Sequence, residues 1–201
     1  MEIDLHSRFT AFEGTQCVAS GELAQVALKA KDVVDGGKQV LIFDDATSEA
    51  IEVDFRGTAA DVLSRLARIE SKETDTAPET EGPRGPGRPR LGVVAREVTL
   101  LPRHWDWLNA QPGGASVALR KLVETARRAN EGKDGVRRAQ EATYRFMSVM
   151  AGNQPGFEEA TRALFANDEH RFDDMTASWP IDVRGHARKL AAVAFANPVA
   201  A

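Results

Sequence analysis

The chain has 201 residues, 42% apolar and 28% charged, with a formal net charge of −4 at pH 7, a composition ordinary for one large or two small globular domains. Its single cysteine, Cys17, excludes an internal disulfide and a cysteine-based metal site. No apolar run approaches the ~18 residues of a membrane span, and the opening MEIDLHSRF lacks the pattern of a secretory signal, so a cytoplasmic protein without a membrane partner is expected.

The charge is unevenly spread: −6 over residues 1–70, −3 over 71–82, +7 over 83–138 and −2 over 139–201. A mildly acidic chain with a strongly basic middle still has a local surface for an acidic partner, because association responds to patches rather than to the total.

Residues 1–70 alternate between strand and helix signals. Phe9 and Phe12 flank a Glu13-Gly14-Thr15 turn, and Cys17-Val18-Ala19 returns as a short strand. Ser20 or Gly21 is expected to start a helix whose apolar positions Leu23, Val26, Ala27, Ala30, Val33 and Val34 recur at three- and four-residue steps. Gly36-Gly37 ends it. Val40 to Phe43 forms a buried-strand run, Asp44-Asp45-Ala46-Thr47 a hairpin turn, and Ile51, Val53 and Phe55 alternate with Glu52 and Asp54 as a half-exposed strand should. Thr58 caps a last helix carrying Val62, Leu63, Leu66 and Ile69. The order is ββα-ββα, an α+β unit.

Residues 71–90, SKETDTAPETEGPRGPGRPR, have no apolar periodicity and predict a disordered linker turning from acidic to basic. Residues 91–130 resume with a strand around Val93, Val94, Val98, Leu100 and Leu101. Pro102 then opens a helix bearing Trp105, Trp107 and Leu108. After Pro112-Gly113-Gly114, Ser116 is the expected N-cap of a second helix with Leu119, Leu122 and Val123 inward and Arg120, Lys121, Arg127 and Arg128 outward. Residues 131–201 predict a helical bundle: Val136–Ala151, a short helix from Phe157, another capped by Asn167 or Asp168, and a last one opened by Trp179-Pro180.

A strand followed by two helices cannot bury its own apolar faces, and a lone edge strand exposes unpaired backbone groups. Pairing with the same strand of a second chain solves both problems. From Val94 to Arg128 the pattern resembles the ribbon-helix-helix fold of β-ribbon DNA readers. The resemblance implies a homodimer on duplex DNA, with strand residues in the major groove and a phosphate at the helix start near Ser116. With Val98 and Leu100 inward, the outward positions are Glu97, Thr99 and Leu101; the opposite register presents Arg96, Val98 and Leu100. Neither is a strongly basic reading face, since Glu97 repels phosphate and only accepts from cytosine. Just upstream, Gly87-Arg88-Pro89-Arg90 resembles the Gly-Arg-Pro centre of an AT-hook, which lays arginine into a narrow A·T-rich minor groove. Over nearly its whole length the chain resembles the bacterial family termed domain of unknown function 2239, through VLIFDDATSEAIEVDFRGT, GRPRLGVVAREVTLLPRHWDWLNAQPGGAS and YRFMSVMAGNQPGFEEATRALF.

Signals for catalysis are sparse. His6, His104, His170 and His186 are scattered without ligand spacing, and no nucleophile elbow or phosphate-binding loop occurs. Adjacent Asp44 and Asp45, or Glu169, His170, Asp173 and Asp174, are the acid/base candidates, against their readings as a turn and a solvated helix face. The expectation is a non-enzymatic, cofactor-free and metal-free homodimer that binds DNA, in the manner of a transcriptional regulator. Its contacts are Arg88, Arg90, Arg96, Glu97, Thr99, Arg103, Ser116, Arg120 and Lys121. The alternative is a protein-interaction or dimerisation module on the same segment.

Overall fold

A computed structural model describes residues 8–75, 94 and 96–196. By their packing, the described residues divide into two compact units, one within 1–77 and 132–201 and the other within 78–131. The first unit is built on a four-stranded antiparallel sheet of β1 (Phe9–Glu13), β2 (Gln16–Gly21), β3 (Leu41–Asp44) and β4 (Ala50–Ile51), in the order β2-β1-β3-β4. Helices α1 (Leu23–Asp35) and α2 (Ala59–Asp75) complete the expected ββα-ββα order.

Local chemistry explains most of these boundaries. Gly14 takes the positive φ of the two-residue β1–β2 turn, where Glu13 pairs with Gln16. Ser20 and Gly21 do not start α1; they close β2, because Ser20 pairs with Thr10 and Gly21 with Phe9 across the ladder. The helix starts at Leu23 with Glu22 as a cap that makes no side-chain bond. Asp44 turns the chain after β3, its Oδ1 accepting from the amides of Ala46 at 2.7 Å and Thr47 at 2.9 Å. The expected strand over residues 51–55 shortens to Ala50–Ile51; Val53 and Phe55 pack on the core without pairing. Thr58 and Asp61 make a reciprocal cap on α2, the Thr58 hydroxyl accepting the Asp61 amide and the Asp61 carboxylate accepting the Thr58 amide.

The sheet is covered on both faces, which accounts for the almost uniformly buried β1. Phe9, Ala11 and Ile42 point to one side, where they pack with Leu23, Val26, Ala27, Ala30, Val62 and Leu66 of α1 and α2. Phe12 and Phe43 point to the other, into a core shared with the C-terminal helices. There Phe146 meets Phe43 edge-on at 5.3 Å and Phe12 at 5.5 Å between ring centroids.

The helices of that second core are the end of α4 (Gly114–Met150), α5 (Phe157–Phe165), α6 (Glu169–Thr176) and α7 (Ile181–Ala196). Asp168 caps α6 by accepting the Arg171 amide at 3.0 Å. Gly156 precedes α5 at φ +81, and a Cβ there would stand 2.7 Å from the Met175 carbonyl oxygen, so both backbone angle and close approach require glycine. Buried Trp179 donates its indole N–H to the Pro155 carbonyl at 2.9 Å.

The second unit contains α3 (Pro102–Asn109) and the first turns of α4. Pro102 opens α3 as expected, with Leu101 as the cap residue. Ser116 is not an N-cap: α4 starts at Gly114, because Gly113 and Gly114 at φ +88 and +73 already make the turn. No strand forms over Arg96–Leu101 in the single chain; a strand exists only with a hydrogen-bonded neighbour. Most of the expected linker, including the AT-hook-like Arg88 and Arg90, lies outside the described residues.

Because Phe146 sits between Phe12 and Phe43, Phe146→Ala is expected to cost about 3–5 kcal/mol and to lower the sheet and the C-terminal helices together. Denaturant unfolding followed by Trp179 fluorescence and by strand amide signals should give one shared, shifted midpoint. A loss confined to the helices would contradict the shared core.

Candidate functional site

The residues expected to meet DNA are all surface residues where they are described. Arg96, Glu97 and Thr99 lie exposed in irregular chain before α3, Arg103 in its first turn, and Ser116, Arg120 and Lys121 in the first two turns of α4. Only Ser116 and Arg120 are joined by a hydrogen bond, the Arg120 Nε donating to the Ser116 carbonyl at 3.2 Å. Among the described residues, Arg96, Arg103, Arg120 and Lys121 form no ion pair, whereas Arg127 and Arg128 are both drawn to Glu124. The same segment leaves Val94, Val98, Leu101, Trp107, Leu122 and Val123 between 48% and 71% exposed. Leu108 and Ala118 are its buried apolar residues.

A second constellation went unrecognised in the sequence. Asp45, a side chain only 9% exposed, is reached by Lys189 Nζ at 2.5 Å and by the Thr10 hydroxyl at 2.6 Å. Ser20 Oγ lies 3.0 Å from Thr10 Oγ1 on the neighbouring strand. His186, one turn before Lys189 on α7, is 6% exposed, and its Nε2 stands 3.8 Å from Asp45 Oδ1. That is beyond hydrogen-bond reach, and among the described residues Nε2 has no hydrogen-bond partner. One helical turn earlier, Asp182 accepts the backbone amide of Cys17 at 2.9 Å. Asp182, His186 and Lys189 thus follow one face of α7 at four- and three-residue steps. That spacing was the available signal, but its partners Thr10, Cys17 and Asp45 stand some 140 positions or more away in sequence.

The electrostatics of this cluster follow from its walls. His186 is enclosed by the Phe146 ring at 4.6 Å and the Phe12 ring at 5.5 Å. Burial pushes its pKa down to about 4, against a smaller upward pull from Asp45 and with Lys189 adding to the decrease. The imidazole is therefore neutral at pH 7. Cys17 is exposed, yet partial burial and then Asp182 and Asp45 raise its pKa, so it rests as the thiol, the less nucleophilic form. Lys189 and Thr10 offset the cost of burying the Asp45 carboxylate and tie α7 to the sheet.

The two sequence candidates for acid/base work are placed apart in role. Asp44 is occupied by its own turn, while Asp45 faces α7. His170 pairs with Asp174 at 3.1 Å on an exposed helix face, and Asp173 pairs with Arg188 at 2.6 Å. Among the described residues no group of three or more His, Cys, Asp or Glu side chains is placed to hold a metal ion, and no helix is long and apolar enough to cross a membrane.

Between pH 6.5 and about 4 the unfolded chain protonates His186 while the folded chain does not. The stabilisation is full above pH 6.5 and declines as the pH falls through that window, by an amount on the order of 3 kcal/mol. Replacing His186 with Phe should flatten the stability-versus-pH curve between pH 6.5 and 5, measured by urea unfolding at each pH. An unchanged slope would show that His186 is not the group responsible.

No curated protein and no solved structure shows significant similarity to the chain. A family model described as an uncharacterized protein conserved in bacteria, domain of unknown function 2239, matches residues 8–191, spanning both the sheet and the C-terminal helices. The chain belongs to that bacterial family.

Proposed function

We propose that this protein is a cytoplasmic homodimer that binds duplex DNA through residues 96–128, in the manner of a transcriptional regulator, and carries out no catalysis. One observation carries the reading: the segment exposes five large apolar side chains beside four cations that form no ion pair among the described residues. Apolar groups left in water favour a second protein surface, and unneutralised cations favour phosphate. A second copy of the chain supplies the first. Residues 96–101 would pair antiparallel across the dimer axis and bring Val98 and Leu100 under the two α3–α4 pairs.

In that arrangement Arg96, Arg103, Arg120 and Lys121 contact phosphates, with Arg88 and Arg90 extending the track upstream. Amides in the first turn of α4, near Ser116, add a site where the helix dipole favours an anion. Glu97 and Thr99 occupy the reading face. A carboxylate and a short hydroxyl offer few base contacts, so the affinity rests on backbone phosphate rather than on sequence. The occupied side chains of Asp44, Asp45 and His170 support the absence of a catalytic step.

A salt titration of binding to duplex DNA tests this directly. Log affinity should fall linearly with log salt, with about 0.9 in slope for each neutralised phosphate. Arg120→Ala combined with Lys121→Ala should weaken binding to all sequences and make the slope shallower by about 2–4 across a dimer. A folded dimer that leaves duplex DNA unbound at low salt would overturn the DNA reading and favour the dimerisation module.

A further inference from the structure

Helix α4 is 37 residues long, yet packing supports it only toward its ends. Ala118 is buried near the start, and Val136, Ala142, Thr143, Phe146 and Met147 are buried toward the end. Between them every residue from Thr125 to Lys133 is exposed, so for more than two turns no face is buried. The sequence there is also weak in helix propensity: Thr125, Asn130, Gly132, Asp134 and Gly135 all fall within one stretch of eleven residues. A Cβ at Gly132 or Gly135 would meet nothing within 4 Å, and neither residue has a positive φ, so the backbone geometry does not call for glycine at either place. Each nevertheless weakens the helix about fivefold relative to alanine. The local support consists of exposed pairs, Glu124 with Arg127 and Arg128, and Asp134 with Arg137. Such pairs return about twofold or less apiece.

We infer that α4 opens locally between Thr125 and Gly135 while its two ends remain helical, so that the helix contains a built-in joint. Opening there costs little, because it exposes no core and breaks only solvated hydrogen bonds. The segment upstream can then be presented to a partner without disturbing the core around Phe146. That use rests on the DNA-binding reading; the opening itself depends only on α4.

Hydrogen exchange on the full chain, without DNA, tests the opening apart from any binding. Amides of residues 129–135 should exchange within about tenfold of unstructured rates, and those of residues 143–147 at least about a thousandfold more slowly. Replacing Gly132 and Gly135 together with alanine should raise protection in the joint about 25-fold. This variant adds helix propensity and leaves the packed residues untouched, so it retains the fold. Protection of residues 129–135 equal to that of residues 143–147 in the native chain would overturn the joint. So would a double variant with unchanged exchange.

Discussion

The contact on which the first unit depends is the meeting of Phe12 and Phe43 on one sheet face with Phe146 and His186 from two helices. A sheet of short strands with one uncovered apolar face is not a stable object in water. Covering that face with the C-terminal helices buries β1 on both sides and draws residues more than a hundred positions apart into one core. The polar cluster beside it follows from the same packing. Once α7 lies on the sheet, Lys189 meets Asp45, and His186 is enclosed by aromatic rings and held neutral. Asp182 caps an exposed backbone amide at the end of the same contact. Thr10 links the two chemistries, since its neighbours Phe9 and Ala11 belong to one core and its hydroxyl reaches the polar cluster under the other.

The second unit has the opposite character. Its apolar residues outnumber what α3 and the start of α4 bury between them, and its cations outnumber its local carboxylates. An excess of both kinds on one short segment is costly for an isolated chain and useful for an assembled one. The weak stretch of α4 from Thr125 to Gly135 fits this contrast. Where the first unit is held by packing, this stretch is held by helix propensity and exposed ion pairs, and its glycines lower that propensity.

Much of the element order was legible because it is set locally. The three- and four-residue stripe of α1, the Thr58–Asp61 cap, the Asp44 turn, Pro102 at the start of α3 and the Asp168 cap are each written within a few residues. Boundaries shifted where a ladder or a turn overruled propensity. Ser20 was claimed by β2 through Thr10, and the Gly113-Gly114 turn made a cap at Ser116 unnecessary. The helix expected after Gly113-Gly114 and the one expected over Val136–Ala151 are a single helix, α4. The Asp45–His186–Lys189 cluster was illegible for a different reason: its members are joined only by tertiary packing, and two adjacent aspartates give no hint that one turns inward to a distant helix. Arg96, Glu97, Thr99, Arg103, Arg120 and Lys121 are all exposed, because with no strand formed both registers of residues 96–101 stay at the surface.

Both the dimer and its DNA surface require a second copy of the chain as the partner of the exposed segment. Sedimentation equilibrium of the intact protein measures this without assuming anything about DNA. The prediction is a mass of twice 21.9 kDa at micromolar concentration, reverting to 21.9 kDa when Val98, Leu122 and Val123 are replaced by polar residues. A 21.9 kDa monomer for the unaltered chain, folded and at the same concentration, would contradict it.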